Sequence, residues 1–511
     1  MTRILKGALA LFFTCAFAAA IFGGAGSRAS AASKSPAATS SPSAEASPVA
    51  TPEPPDVAIP RLQARLKTTP DDREALTQIT GYYLQTGRPD LALGTSQKLM
   101  QLGVKTGQVY YFSGYSNMQL GRIPQATADL EQASNLEPTN IAVLGSLADL
   151  YVRQGRLADA ERIAKRAVTF NKDNKTAYTT YGQVLATEQK YDDARAEFEL
   201  AAKLDPKDPG PVLLEANTYL KQNAIALASS LYDRALTIDP SSQDALFGKA
   251  QILAQQHNVK DADTTYEKLR TLIPDNDGKA AILLEEARLF ATEKMDDQAV
   301  ATYKSAIAQY PAVTATHVAY GDYLASKNDL TGAETEWQTG LGPNRDNREA
   351  LARLGTYYAD KKDFPKAIDY LKRLTEISPN DPRGWTVLGS VYGSQSNWRD
   401  AHDAFRHAYD LTHAPDALKM VGQTDLNLRN YKEAQQIFEA IEKNGADYVK
   451  QDPSVIYLLA QSYDKQGMCP QAKSAYDRFI PYLKPGTQAY AQVKKESADL
   501  RCPKPAAKKT S

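Results

Sequence analysis

Apolar residues recur along this chain at helical spacing, with small residues set among them at fixed intervals. The pattern is plainest at Lys175–Pro206. There it predicts two short helices, Thr176–Gln189 and Asp192–Leu204, joined by a tight turn at Lys190–Tyr191 and stopped by Pro206. The design returns with a period of 34 residues, a length at which a repeat architecture is the first reading. Twelve copies start at Arg73, Gly107, Ile141, Lys175, Pro209, Gln243, Ala280, Thr314, Arg348, Pro382, Pro415 and Pro453.

Two columns of small residues fix this register. Position 20 is Ala in every copy, from Ala92 to Ala472, and position 8 is Gly or Ala in all but the first, which has Thr80. A side chain larger than methyl at either place would push the two helices of a copy apart. Bulk surrounds them: position 11 carries Tyr83, Tyr151, Tyr358, Tyr392 and Tyr463, and position 24 carries Phe198, Tyr232, Trp337, Phe405 and Phe438. Proline at position 32, as at Pro138, Pro206 and Pro240, ends the second helix or opens the next one, because it lacks the donor a helix interior needs.

In one copy Trp385, Leu388, Gly389, Tyr392, Ala401, Phe405 and Ala408 follow the series that marks the tetratricopeptide repeat family. The chain resembles that family from Ala58 to Lys484. The resemblance implies an all-α fold: a right-handed α-α superhelical solenoid of about twelve units. It also implies that first helices line a concave face that binds peptides or partner domains. It does not imply catalysis.

Both ends of the array predict a cap, since an end repeat must cover its apolar face. A half copy supplies the first: Ile59–Thr68, with Ile59, Leu62 and Leu66 on one side. The helix Thr487–Arg501 supplies the last, through Tyr490, Val493 and Leu500. The spacing slips three times. Asp277–Lys279 adds residues, the copy at Pro382 is one residue short, and Tyr448–Asp452 marks an extension of four. Loop length varies cheaply, so these slips read as drift or as local changes of curvature.

Composition adds little to the fold and more to the setting. Lys+Arg and Asp+Glu balance at 60 each, which gives no argument for a nucleic-acid partner. Arg3 and Lys6 precede an uncharged run whose apolar centre is Ala8–Phe22, and Ala29–Ala31 fits a peptidase site. Residues 1–31 therefore read as a secretory signal peptide or an uncleaved membrane anchor. Residues 32–57 are Ser/Ala/Pro-rich and too poor in large apolar side chains to fold, so they read as a linker. The domain plan is completed by the solenoid over 58–485, the capping helix over 486–502 and a disordered tail over 503–511. The expected location is the periplasm or cell envelope, with a membrane tether if the N-terminus is retained.

Cys469 lies in the turn of the last copy and Cys502 at the end of the capping helix. Following the chain up, down and up again brings both sulfurs to one end. In an exported protein such a pair reads as a disulfide. Closing that loop is worth roughly 3–4 kcal/mol in the chain-entropy account. Two free thiols or a two-cysteine metal site are the alternatives.

No phosphate-binding Gly-rich loop, Gly-x-Ser-x-Gly elbow or His-Glu-x-x-His pattern occurs, and neither cofactor nor metal is expected. His402 and His407 stand five apart on one helix and do not share a face. In the family, positions 2, 5, 9, 12 and 13 of the first helix point into the concave face. Position 9 here supplies Asp149, Gln183, Asn217 and Gln251, a polar row set to bond the backbone of an extended peptide. Solvated polar positions are the plainer reading. In the second copy Tyr111, Tyr115 and Met118 share that face, as an exposed aromatic patch for a partner or as packing against a neighbour. The expected function is a non-catalytic scaffold that binds proteins or extended peptides in assembly of an envelope complex. The alternatives are a substrate-recruiting subunit with catalysis on another chain, and a spacer with no specific ligand.

Overall fold

The computed structural model describes residues 53–343 and 345–500. Among them are 27 α-helices, one 3-10 turn at Ile480–Tyr482 and no strand. The N-terminal segment 1–31, the linker up to residue 52, Cys502 and the tail 503–511 lie outside the described residues. The chain forms two compact units that divide between Ile252 and Leu253, within the helix Gln243–Gln255. Each unit is a stack of helical hairpins, and each hairpin is one copy of the repeat.

Local chemistry sets the hairpin. First helices open on side chains that accept an orphan backbone N–H: Asp72, Thr106, Asn140, Asn174, Asn347 and Asp381. They close at position 15 with a residue in the left-handed region. Four copies place glycine there, Gly87, Gly121, Gly155 and Gly467; the others place a side chain, including Gln189, Lys294 and Lys362. In the fourth copy the reversal thus falls at Gln189, a residue earlier than expected, and Tyr191 already opens the second helix Tyr191–Leu204. Lys362 sits at φ 60°, where an L side chain is strained and glycine is not. Lys362→Gly should stabilise unit 2 by about 0.5–1 kcal/mol. An unchanged melting temperature would show that the turn carries no such strain.

The two helices meet at the small columns. A Cβ on Gly182 would stand 2.6 Å from Phe198, on Gly355 2.6 Å from Leu371, and on Gly389 2.9 Å from Phe405. Where the copy has glycine, even a methyl group does not fit without movement. Position 20 is fully buried throughout, from Ala92 through Ala228 to Ala472.

The caps form. Pro55–Thr68 buries Ala58, Ile59 and Leu62 against Ala75, Ile79 and Tyr83. It starts inside the expected linker because Pro55 suits the first turn of a helix. Gln488–Asp499 buries Val493 in the cluster of Tyr476 and Phe479, with Leu500 packed at its edge. The three spacing slips resolve differently. The residues added at Asp277–Lys279 lengthen a first helix to Asn276–Thr292, capped by Asp275. The short copy ends its second helix on His413 in the left-handed region, and Pro415 opens the next helix two residues later. The extension folds into a short helix, Ala446–Gln451, whose Tyr448 donates to Asp416 at 2.7 Å.

Candidate protein-binding face

In unit 1 the first helices Arg73–Gln85, Gly107–Gln119, Ile141–Arg153, Lys175–Thr187 and Gly210–Lys221 touch one another in sequence order. Residues at one helical position therefore line up, one copy apart. Position 9 carries the polar row. Asp149 is half-buried and bound by Arg153 at 2.8 Å; burial raises its carboxyl above the usual range despite that guanidinium. Asn217 is exposed, and its side-chain carbonyl accepts the Tyr232 hydroxyl at 2.8 Å, which leaves its NH2. Gln183 is half-buried and Gln251 exposed. Among the described residues neither of these two side-chain amides has an intramolecular hydrogen bond.

The aromatic patch is not an exposed patch. Tyr111 is 9% exposed and Met118 7%, both within the core cluster of Leu130, Leu144 and Leu147. Only Tyr115 is half-buried, its ring 5.8 Å from that of Tyr111. The cause is the following first helix, Ile141–Arg153, whose Val143, Leu144 and Leu147 close over the second copy. Burial pushes the Tyr111 hydroxyl up to about 12. Of the three residues, Tyr115 is the one left to meet a partner.

Unit 2 spends several of its first-helix polar groups on itself. Asp322, at position 9, accepts Trp337 Nε1 at 3.0 Å and both arms of Arg353 at 2.7 and 2.9 Å. Arg383 reaches Glu349 at 2.9 Å and Asp381 at 2.7 Å. Arg288 pairs with Glu285, and Gln461 donates to the Tyr457 hydroxyl at 2.9 Å.

The position-11 tyrosines have a role that column-by-column reading missed. Four of them, Tyr83, Tyr151, Tyr358 and Tyr463, bring the hydroxyl to the second helix of the preceding hairpin. Tyr151 donates to Glu131 at 2.7 Å, and Tyr358 and Tyr463 donate to Glu334 and Glu439; Tyr357, one position earlier, also donates to Glu334 at 2.7 Å. Gln63 donates to Tyr83 at 3.0 Å. The signal was present as Glu or Gln 20 or 24 residues before the tyrosine. In the eleventh copy the chemistry is reversed: position 11 is the buried Asp425, 3.5 Å from His402 on the preceding second helix.

Among the described residues no group of three or more His, Cys, Asp or Glu could hold a metal ion. His407 stacks on Trp385 with ring centroids 4.5 Å apart, and His317 pairs with Glu336 at 2.7 Å. Cys469 is buried at the start of the helix Cys469–Phe479.

Three family models match the chain. The description "Tetratricopeptide repeat protein 21 N-terminal ARM repeat" covers residues 81–300, and two described as "Tetratricopeptide repeat" cover 338–382 and 454–480. Protein O-mannosyl-transferase TMTC3 of Homo sapiens is 23% identical over 51% of this chain and 32% of its own length. Mitochondrial import receptor subunit TOM70 of Saccharomyces cerevisiae is 27% identical over 34% of this chain and 29% of its own. The chain thus spans about a third of these relatives. A solved tetratricopeptide repeat protein from Parabacteroides merdae is similar over 46% of this chain and 91% of its own, at 16% identity and a TM-score of 0.35. With the period, the glycine–aromatic close approaches and the hairpin stack already established, the three family models place the chain in the tetratricopeptide repeat family.

Proposed function

We propose that the chain is a non-catalytic protein-interaction scaffold of the cell envelope, which holds an extended segment of a partner on the first-helix face of unit 1. The observation that carries this reading is the row of Gln183, Asn217 and Gln251: the two glutamine amides are not consumed by the fold, and Asn217 keeps its NH2. The import-receptor name of one relative and the family itself agree with protein binding. The envelope setting rests on the character of residues 1–31. No helix among the described residues is long and apolar enough to cross a membrane.

Crosslinking in intact cells tests the face directly. A partner recovered with wild type should be lost with Gln183→Ala/Gln251→Ala. Equal recovery with both would move the site elsewhere. A second reading follows from the O-mannosyl-transferase relative, which matches over half of this chain: the repeats would recruit a substrate for a catalytic chain. Transferase activity co-purifying with the scaffold would favour it.

The export reading carries its own check. Cys469 and Cys502 are expected to be joined, and alkylation of the unreduced protein should then label neither. Reduction should lower the stability of the last repeat by roughly 3 kcal/mol. Labelling of both without reductant would remove the bridge.

A further inference from the structure

Building on the peptide-binding reading, we infer that the first-helix face of unit 1 selects an extended segment with uncharged side chains and holds it by its backbone. The two units use charge differently at the start of this face. The helix Lys175–Thr187, which presents Gln183, carries no ionisable acid or base except Lys175 and two tyrosines. Lys175 lies at the helix start and is held by Asp205 at 2.6 Å and Asp208 at 2.8 Å. On the helix of Gln251, Lys249 is held by Asp233 and Ser229 at 2.8 and 2.9 Å. Asp149, where the row begins, is held by Arg153. Three consecutive copies thus present amides at position 9, and Lys175 and Lys249, on the helices of two of them, are already paired. Unit 2 places Arg288 and Asp322 at the same position in its first two full copies and closes them into its own ion pairs; its later amides are Gln423, which is exposed, and Gln461, which is spent on Tyr457.

A primary amide offers both a donor and an acceptor. It can therefore match a peptide backbone, which repeats both groups at every residue, whatever its side chains. A charged side chain laid on this face would lose hydration and meet no uncommitted counter-charge at position 9. A neutral one loses little. Binding should accordingly be insensitive to salt, because screening acts only on charge pairs.

The test pans a phage-displayed random-peptide library against the full chain and against Gln183→Ala/Gln251→Ala. Both residues are off the core, so circular dichroism should report an unchanged fold. The expected outcome is a wild-type consensus free of Asp, Glu, Lys and Arg. Its affinity should fall about tenfold in the double variant, as two lost hydrogen bonds imply, and hold between low and high salt. A consensus rich in charge that still depends on Gln183 and Gln251 would overturn the selectivity and leave peptide binding standing. Enrichment equal for both proteins would overturn the site, and no enrichment from either would overturn peptide binding itself.

Discussion

Gly182→Val is expected to cost unit 1 about 3 kcal/mol, at the upper end for overpacking a closed core. The first branch atom alone would stand 2.6 Å from Phe198, which is 1% exposed and has nowhere to move. The helices Lys175–Thr187 and Tyr191–Leu204 would have to separate, and with them the Gln183 side of the polar row. Because stability in a repeat array is a sum of local terms, the damage should be regional. Hydrogen exchange should accelerate in these two helices and their immediate neighbours, and leave the helices of unit 2 protected. Shortening the opposing ring with Phe198→Leu should recover part of the loss. Uniform exchange across the chain, or no rescue, would show that the close approach is not what limits this hairpin.

The second large effect is a dependence on acidity in unit 2. Glu286 occupies position 7 of its copy, an inward place where Leu147 stands in the third copy. It is 5% exposed, 3.5 Å from Arg270, and one of its oxygens lacks a hydrogen bond. Burial, opposed by Arg270 and assisted by Asp263 and Glu267, pushes its carboxyl up to about 7. A folded-state value raised above the ordinary 4.5 means that folding favours the protonated form. The penalty is therefore full above pH 7 and is relieved as the pH falls from about 7 to 4.5. The span amounts to about 3 kcal/mol. Glu286→Gln should remove this dependence and stabilise unit 2 by about 2–3 kcal/mol at pH 8, since the value of about 7 already includes the attraction of Arg270. At pH 5 the variant and wild type should unfold alike. Denaturant titrations at the two pH values read both results, and a variant no more stable at pH 8 would refute the account.

What the sequence made legible follows from distance along the chain. The contacts that shape a hairpin lie within one copy, as Gly182 meets Phe198 and Ala194 enters the same cluster, so their residue types repeat and the period exposes them. Seam contacts reach one copy back or forward, and their types vary. Asp322 looks like an open polar group until Arg353, 31 residues later, is seen to bind it. Tyr111 and Met118 share a helical face, but whether that face meets solvent was decided by the bulk of Val143, Leu144 and Leu147 on the next first helix. The extension after Asn444 was visible as a change of spacing. Its folding into Ala446–Gln451 depended on Tyr448 finding Asp416, a pairing no periodic column contains.

The tyrosine hydroxyls that join one hairpin to another point backwards, and only Tyr457, among the described residues, reaches forward, to Glu496 on the capping helix. Tyr151 reaches Glu131, Tyr358 reaches Glu334 and Tyr463 reaches Glu439, always toward chain already made. During synthesis, a hairpin leaving the ribosome can close its seam at once, with a partner only 20 or 24 residues behind it. Loops this short are quick to close, and the pairings stay local. The protein can therefore order itself from its first repeats onward, one hairpin at a time, and at each moment only the newest hairpin need expose its apolar side.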